Sequence, residues 1–343
     1  MQRARAHPIR LTVAALLLAA GAIVAIAAAY GLGGFVNAWP HPHWPWLVLS
    51  LCTALVAIAT YALCYRAVAA AHGGAKLRMA LALRAVILGF APFAPGGGFA
   101  VDKRVLHAIE DDEHAATIRV LGLGSLEWAL LAPAAWLCAV VLLVMGDHRP
   151  MPSLLWPWAI AVPIGFALGF SLATEARRKR IEAKGGRWRA RLGRAMNAIE
   201  ILRTLVRSFA CCWEAWAGMI FYWALDIASF YGATRFIGLR LGVGEVVVAY
   251  ATGYALTRRS MPLGGAGVTE VLMTFSLHWV GQPVLPALAA VVVYRVFNLA
   301  LPALPALLVN RRIKPMLDAA DRGKTPASNE RRRASAPLNP VRR

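Results

Sequence analysis

Long apolar stretches separated by short polar segments run through almost the whole chain. A helix that crosses a lipid bilayer needs about 20 consecutive apolar residues. The uninterrupted stretches of roughly this length are 11–31, 46–69, 120–145, 154–174, 210–238 and 284–309. The pattern predicts an all-α fold: a polytopic transmembrane helical bundle with a first membrane half over 11–174 and a second over 210–312.

Two more apolar stretches are interrupted by residues that break α-helices. The first, 79–100, contains Pro92, Pro95 and the run Gly96-Gly97-Gly98. The second, 246–281, is broken at Arg258-Arg259-Ser260-Met261-Pro262-Leu263-Gly264-Gly265-Ala266-Gly267. We expect two Pro/Gly-broken re-entrant hairpins. Because each follows an ordinary span, the two halves are candidates for inverted repeats, which in many transporters place the substrate site near the midplane.

Basic residues are concentrated outside the predicted spans. The chain has 37 Lys and Arg against 17 Asp and Glu, a net charge of +20. Basic segments are 1–10, the loop with Arg66, Lys76 and Arg78, 175–209 and 313–343. Basic loops of membrane proteins face the cytoplasm. All of these basic segments lie on the cytoplasmic side only if 79–100 enters the membrane and returns on the same side. The backbone groups of 79–100 that lack helical hydrogen bonds must then be covered by protein or line a water-filled cavity.

This charge pattern predicts where the chain lies in the cell. We expect an integral protein of the bacterial inner (plasma) membrane with cytoplasmic termini, a basic N-terminus at 1–10 and a basic cytoplasmic loop at 175–209. Segment 313–343 is expected to be a disordered basic cytoplasmic tail that rests on anionic headgroups. The first span also resembles a signal peptide, but its apolar run is longer than a cleavable one.

Composition and motifs exclude several classes of function. With 59% apolar and 16% charged residues, the chain is too apolar to be a soluble enzyme. No basic segment belongs to a nucleic-acid-binding fold, so we expect no nucleic-acid partner. The five cysteines lie in apolar stretches without CxxC spacing, and no GxSxG, HExxH or P-loop motif occurs. We expect no metal, no cofactor and no enzymatic activity.

Ionisable residues inside apolar spans are the candidates for function. Each costs about 2.5–3.5 kcal/mol on insertion, so it normally faces a partner or a water-filled cavity. These residues are Arg84, Glu127, Glu214, Asp226, Arg235, Arg258, Arg259, Glu270 and Arg295. Glu214 and Arg235 lie near span ends, where reaching to the membrane interface explains them without a function.

Glu270 and Arg295 are placed to form a buried ion pair. Glu270 directly follows the Gly-rich break, and Arg295 lies within the last span. In one interpretation the pair only fastens the hairpin to the last helix. In the other, Glu270 begins a half-helix and lines a cavity for a lipid phosphate or a coupling proton. Arg258, Arg259 and Arg295 then supply positive charge for an anionic headgroup.

The second break resembles a known membrane family. Segment Arg259-Ser260-Met261-Pro262-Leu263-Gly264-Gly265-Ala266-Gly267-Val268-Thr269-Glu270 is similar to the "lPl-pGGlGv-E" motif of the lysylphosphatidylglycerol synthetase transmembrane-region family, also called flippase-like integral membrane proteins. Val293-Tyr294-Arg295 resembles the family's "yR" signature. The likeness covers roughly residues 10–312 and implies a membrane domain that moves, or helps to move, lipids or lipid-linked headgroups between leaflets.

The first break resembles the family's "lP-G-gGd-vR" hairpin more loosely. Ala94-Pro95-Gly96-Gly97-Gly98 is followed by Asp102 and Arg104, but Phe90 and Ala91 stand where the family usually has Asn. The substrate-binding residues expected in the second hairpin and last span are Arg258, Arg259, Pro262, Gly264, Gly265, Gly267, Glu270 and Arg295. The candidate first-hairpin site is Pro95, Gly96, Gly97, Gly98, Asp102 and Arg104.

We expect a translocator of phospholipid or lipid-linked headgroups, with anionic membrane lipids as its partners. The alternative is a non-transporting accessory subunit of a membrane-bound lipid- or glycan-synthesis enzyme. A third, weaker alternative is an intramembrane enzyme acting on lipid-linked sugars. Some family members carry a C-terminal domain that transfers an aminoacyl group from tRNA to phosphatidylglycerol. The segment after the last span is too short for such a domain, so synthase activity is not expected.

Overall fold

A computed structural model describes residues 7–39, 43–71, 74–94, 96–110, 112–146, 150–172, 212–255, 259 and 261–322, with scattered residues between 174 and 209. The α-helices in these parts are α1 (Pro8–Tyr30), α2 (Leu32–Asn37), α3 (Trp44–Ala70), α4 (Met79–Gly89), α5 (Gly98–Glu110), α6 (Glu113–Val144), α7 (Pro152–Leu172), α8 (Trp213–Phe236), α9 (Val243–Tyr250), α10 (Val268–Trp279), α11 (Val284–Arg295) and α12 (Leu301–Arg322). No β-strand occurs in the described part of the chain.

Five helical segments are long and apolar enough to cross a membrane. They are Pro8–Tyr30, Trp44–Ala70, Glu113–Val144, Pro152–Ser171 and Val284–Asp318, the last formed by α11 and α12 joined through a π-helical turn. Helix α8 has 24 residues but carries Glu214, Asp226 and Arg235, which lower its hydropathy. The predicted all-α polytopic bundle is confirmed.

Helices α3 and α8 pack against each other along their length and form the centre of the bundle. Small residues let their backbones approach, as is common between membrane helices. A Cβ atom added at Gly218 would lie 2.7 Å from the Cys64 backbone nitrogen, and one at Gly232 would lie 2.9 Å from the Trp46 carbonyl oxygen. The Ser50 hydroxyl also donates to the Ser229 carbonyl oxygen at 2.8 Å.

The first predicted helix break is confirmed. Helix α4 ends at Gly89, turns carry the chain to Gly98, and α5 then packs back against α4. Helix α4 has 11 residues, which makes it about 16 Å long, roughly half of the hydrocarbon core. The hairpin is longer than the predicted 79–100, because the polar residues after Gly98 form its second arm.

Helix α6 starts earlier than the predicted span at 120–145. It begins at Glu113 because the Asp112 carboxylate accepts hydrogen bonds from the backbone N–H groups of His114 and Ala115. These two N–H groups hold the pKa of the Asp112 carboxyl below its ordinary value. Residues 113–119, which precede the predicted span, are therefore part of the same long helix.

The second predicted break is also confirmed. Helix α9 continues into a π-helical turn at Ala251–Ala255, a 3-10 turn forms at Pro262–Gly265, and α10 begins at Val268. Left-handed backbone at Leu263 (φ 58°), Gly264 (φ 62°), Gly265 (φ 67°) and Gly267 (φ 85°) explains the glycines. A continuous helix is impossible through this segment.

The two hairpins are placed in similar ways around the central helix pair. Helix α3 is followed by the α4–α5 hairpin, and α8 is followed by the α9–α10 hairpin. Helix α12 packs on α4 and α5, and α6 packs on α9. In each half, a long central helix is followed by a hairpin, and one further helix packs on that hairpin. Entry and return on one side of the membrane, and an inverted relation of the halves, stay predictions.

Helix α12 extends the last span well into the predicted tail. It is helical to Arg322, so the part of 313–343 that the structure describes is not disordered. Residues 1–6, 323–343 and most of the predicted basic loop 175–209 lie outside the described residues. The cytoplasmic position of these segments stays a prediction.

Candidate functional site

The two helix breaks face each other across a very small polar cavity. Its volume is about 10 Å³, roughly the space for one water molecule. Its lining comprises Gly89, Phe90, Ala91, Ala94, Gly97, Gly98, Tyr254, Met261, Gly264, Arg295, Asn298 and Leu299. Both hairpins and the last span therefore contribute to one interior site, which is closed in this structure.

Arg259, from the second break, pairs with Asp102 on the second arm of the first hairpin. Its Nη2 donates a short hydrogen bond to Asp102 Oδ2, and the side chains are 2% and 0% exposed. Glu127 of α6 is the second carboxylate, with Oε1 3.8 Å from Arg259 Nε. The ion pair thus joins the two hairpins directly.

Aromatic rings surround the Arg259 guanidinium. Its central carbon lies 4.5 Å from the Tyr61 ring centroid, 4.6 Å from that of Phe90 and 5.3 Å from that of Phe99. A cation gains energy over such ring faces, most of all where water is excluded. Tyr61 also donates to Glu127 Oε1 at 2.6 Å. These contacts help to offset the cost of burying the charge.

Two glycines of the first hairpin make room for this side chain. A Cβ atom at Gly89 would lie 2.9 Å from Arg259 Nη2, and one at Gly98 would lie 2.5 Å from the Gly89 carbonyl oxygen. Gly98 was expected at the site, whereas Gly89 was not. The glycines at the break therefore serve both the turn and the close approach of Arg259.

In the part of the chain that the structure describes, three buried polar atoms of this pair have no hydrogen bond, and one of them, Arg259 Nε, has only the more distant Glu127 carboxylate beside it. Among the described residues, neither Arg259 Nη1 nor Asp102 Oδ1 has a hydrogen-bond partner. Buried polar groups are normally satisfied, so each exception needs an explanation. Unused donor capacity on a buried guanidinium suits an anionic ligand or a water molecule.

Arg295 and Glu270 form the predicted buried ion pair. Arg295 Nε donates to Glu270 Oε1 at 2.6 Å, and the side chains are 4% and 0% exposed. Glu270 Oε2 accepts from the Gly267 backbone N–H at 2.6 Å, which caps α10. Arg295 Nη2 donates to the Gly264 carbonyl oxygen at 3.3 Å. The last span is thereby fixed to the second break.

A third buried polar cluster is centred on Asp226 of α8. Asp226 Oδ1 accepts from Asn298 Nδ2 at 3.1 Å, and Oδ2 accepts from the Tyr294 hydroxyl at 3.1 Å and, in a shorter hydrogen bond, from Tyr250. Tyr254 donates a short hydrogen bond to Asn298 Oδ1. Tyr254 and Asn298 also line the small cavity. The cluster therefore continues the polar site into α8.

The expected site residues fall into three groups. Those that meet around the two breaks are Gly97, Gly98, Asp102, Arg259, Gly264, Gly265, Gly267, Glu270 and Arg295. Gly96, Arg104 and Pro262 are exposed instead. Arg104 follows Asp102 by two positions, which places it on nearly the opposite face of α5. Pro95 and Arg258 lie outside the described residues.

Two ionisable residues near span ends have partners that account for them. Arg66 Nη2 lies 3.1 Å from Glu214 Oε2, and both side chains are at least one-third exposed. The Arg235 guanidinium lies 5.4 Å from the Trp46 ring centroid. These contacts hold α8 to α3 and lie away from the cavity. In the part of the chain that the structure describes, no three His, Cys, Asp or Glu side chains come together as a metal site requires.

Sequence reasoning missed the neutral members of the site. Tyr61, Tyr250 and Asn298 look like ordinary residues of apolar spans, and their roles depend on partners far away in the chain. Glu127 was recognised as an unusual charge but without a partner. Charges inside apolar spans, Glu127 beside Tyr61 and Asp226 beside Tyr250 and Asn298, were the local signals that led toward these residues.

The comparison with family models agrees with this architecture. The model described as "Lysylphosphatidylglycerol synthase TM region" matches residues 12–306, which include both hairpins and every described residue of the site. None of the curated proteins compared with the chain matches it. The chain therefore belongs to the lysylphosphatidylglycerol synthase transmembrane-region family.

Proposed function

We propose that this protein moves phosphate-bearing lipid headgroups across the membrane through the space between the two helix breaks. The observation that supports this most is the Arg259–Asp102 pair, because each partner comes from a different hairpin. Any movement that separates the hairpins must break this pair. Its opening uncovers a guanidinium inside the bundle, where a headgroup phosphate binds.

The energetics of buried charge favour a functional role over a structural one. Arg259, Asp102, Arg295 and Glu270 are all nearly or completely buried. Replacing a buried ion pair by apolar residues is often neutral or stabilises a protein by about 1–4 kcal/mol. Two such pairs are therefore weak contributors to stability. They suit a site in which a phosphate takes the place of a carboxylate, since a guanidinium binds both groups in the same bidentate way.

The small volume of the cavity is compatible with a transport cycle in which the hairpins open and close. A volume of about 10 Å³ has no room for a headgroup. In the proposed cycle this closed arrangement is the occluded state, and the hairpins part on one side at a time. The headgroup crosses by the polar site while its acyl chains stay in the surrounding lipid. The substrate lipids are the anionic lipids of the inner membrane, with the basic termini of the protein in the cytoplasm.

A leaflet-resolved lipid assay in proteoliposomes tests the proposal. Variants Arg259→Gln and Arg295→Gln keep a polar side chain but lose the charge. Arg235→Gln is the matched control, because Arg235 is an arginine of the same bundle that lies against Trp46 and outside the site. A charge-assisted hydrogen bond contributes about 1.5–3 kcal/mol, so each site variant should move headgroups at least about tenfold more slowly.

The assay uses phosphatidylglycerol, phosphatidylethanolamine and a polyprenyl phosphate, with insertion checked by protease protection. The proposal expects wild-type rates from Arg235→Gln. Equal rates from all variants would remove the two arginines from the path. No transport of any of these lipids by the wild-type protein would favour an accessory role beside a lipid- or glycan-synthesis enzyme.

A further inference from the structure

A large apolar groove lies between α6 and α7, apart from the small polar cavity. Its volume is about 820 Å³, within the range of about 300–1,000 Å³ that is common for small-molecule sites. Almost all of its surface is carbon. Its walls include Val120, Trp128, Pro157, Gly165, Phe166 and Phe170.

The groove lies at bilayer depth. Both of its walls belong to helices that are long and apolar enough to span the membrane, and only 11% of the residues in the most apolar part of Pro152–Ser171 are buried. The side chains of Trp156, Ile160 and Ile164 on α7 are each about half exposed, which fits a surface that faces lipid. Hydrocarbon is the solvent on this side of the protein, so a hydrocarbon chain fits the groove better than a polar ligand.

One end of the groove carries positive charge. Ile199 and Leu202 close this end, and a Cβ atom at Gly169 of α7 would lie only 3.3 Å from Ile199 Cδ1. The next residue, Arg203, has its guanidinium carbon 5.6 Å from the Phe170 ring centroid. It also donates a short hydrogen bond to the Phe170 carbonyl oxygen. A guanidinium group therefore stands where an apolar groove ends, a pairing that complements a lipid with an anionic headgroup.

The inner end of the groove reaches the polar site. Phe99 is part of the groove wall, and its ring centroid lies 5.3 Å from the Arg259 guanidinium carbon. Trp158 and Thr252 also line the groove, and the Trp158 Nε1 donates to the Thr252 hydroxyl at 2.8 Å. Thr252 belongs to the π-helical turn of the second hairpin. Whatever fills the groove thus contacts both hairpins.

We infer that this groove binds one anionic phospholipid, with an acyl chain between α6 and α7 and the phosphate beside Arg203. This binding site does not depend on the proposed transport, because it needs only an apolar groove and a cation at its mouth. The lipid is a bound component that supports the hairpins through Phe99 and Thr252.

Filling the groove with a side chain tests the inference. A Cβ atom at Gly165 would meet nothing within 4 Å, and Gly165 lines the groove, so Gly165→Phe adds a ring at the groove wall. Gly21 of α1 also has nothing within 4 Å of its added Cβ and lies outside the groove, so Gly21→Phe is the matched control. Arg203→Gln removes the cation at the mouth.

The purified protein is equilibrated in mild detergent with equal amounts of phosphatidylglycerol and phosphatidylcholine. Native mass spectrometry then counts the lipids that each protein molecule retains. We expect wild type and Gly21→Phe to retain one phosphatidylglycerol in preference to phosphatidylcholine. Gly165→Phe should lower this retention at least tenfold, since a lost apolar contact of about 1.5–3 kcal/mol corresponds to this factor. Arg203→Gln should still retain a lipid but without preference for the anionic headgroup.

Three results would overturn the inference. The first is wild-type retention by Gly165→Phe, and the second is an unchanged headgroup preference in Arg203→Gln. The third is that the species displaced by Gly165→Phe is a polyprenyl lipid or another protein. Thermal unfolding of each variant shows whether it is folded. If Gly165→Phe is unfolded, Ala161→Phe on the same groove wall gives the same comparison.

Discussion

At the scale of single residues, the buried carboxylates and arginines differ in how they respond to the loss of a partner. A carboxylate left alone in an apolar interior can take up a proton and become neutral. Arginine stays charged in proteins under all ordinary conditions. Arg295 and Arg259 are therefore the members of the two pairs that depend most on their partners. This difference gives a test of the pairs that does not require transport.

For the pair of Glu270 with Arg295, we predict unequal losses of stability. Glu270→Gln keeps an oxygen that can cap α10 but leaves Arg295 charged and buried, which should lower the free energy of unfolding by about 3–5 kcal/mol. Arg295→Gln should cost clearly less, because a carboxylate without a partner is more easily accommodated in an apolar interior than a guanidinium that stays charged. Steric trapping in bicelles measures both values. Equal losses, or a larger loss in Arg295→Gln, would contradict the assignment of a buried ion pair.

The two pairs also differ in what the sequence could reveal. Glu270 and Arg295 are 25 positions apart, and each stands out as a charge in an apolar segment, so their pairing was predictable. Asp102 and Arg259 are separated by 157 positions. Asp102 lies among other polar residues, where it looks like part of a solvated surface. Only the folding of α5 against α4 brings it to the interior.

At the scale of helices and turns, the two breaks were predictable because their cause is local. Proline and glycine interrupt the helix wherever they stand, and left-handed backbone at Gly264, Gly265 and Gly267 accounts for three of the glycines. The boundaries were less predictable. The predicted hairpin ended at 100, whereas α5 runs to Glu110, because its charged residues hide the face that packs on α4 and α6.

Close packing of α3 on α8 was not visible in the sequence at all. Gly218 and Gly232 are single glycines within an ordinary span and differ in no local way from Gly21. Their importance comes from backbone atoms of another helix at less than 3 Å from an added Cβ. This kind of contact is set by the bundle and not by the segment.

We predict that Gly218→Ala destabilises the protein and that Gly21→Ala does not. The new methyl group at position 218 would meet the Cys64 nitrogen at 2.7 Å, and overpacking of this kind costs about 1–3 kcal/mol. At position 21 the methyl group enters open space, and alanine favours helix over glycine. Thermal unfolding in detergent compares the two. A lower unfolding temperature in Gly21→Ala than in Gly218→Ala would contradict the packing of α3 on α8.

At the scale of the whole molecule, the chain places two broken helices so that their ends meet inside the bundle. The order of a long helix followed by a hairpin occurs in both halves, and α12 and α6 each cover one hairpin. This arrangement puts the non-helical backbone of the breaks and the buried charges next to each other inside the bundle, which is the condition that a membrane interior imposes. The small closed cavity between the hairpins follows from the same arrangement.

Transport through the polar site requires the two hairpins to separate, and a reversible cross-link between them tests this most directly. A Cβ atom at Gly264 would lie 3.9 Å from Pro92 Cα, which suits a disulfide between Pro92→Cys and Gly264→Cys. The five native cysteines are first replaced. Headgroup transport in proteoliposomes is then measured with the cross-link oxidised and after reduction. We predict that oxidation stops transport and reduction restores it; transport at the reduced rate with the disulfide formed would contradict a path between the hairpins.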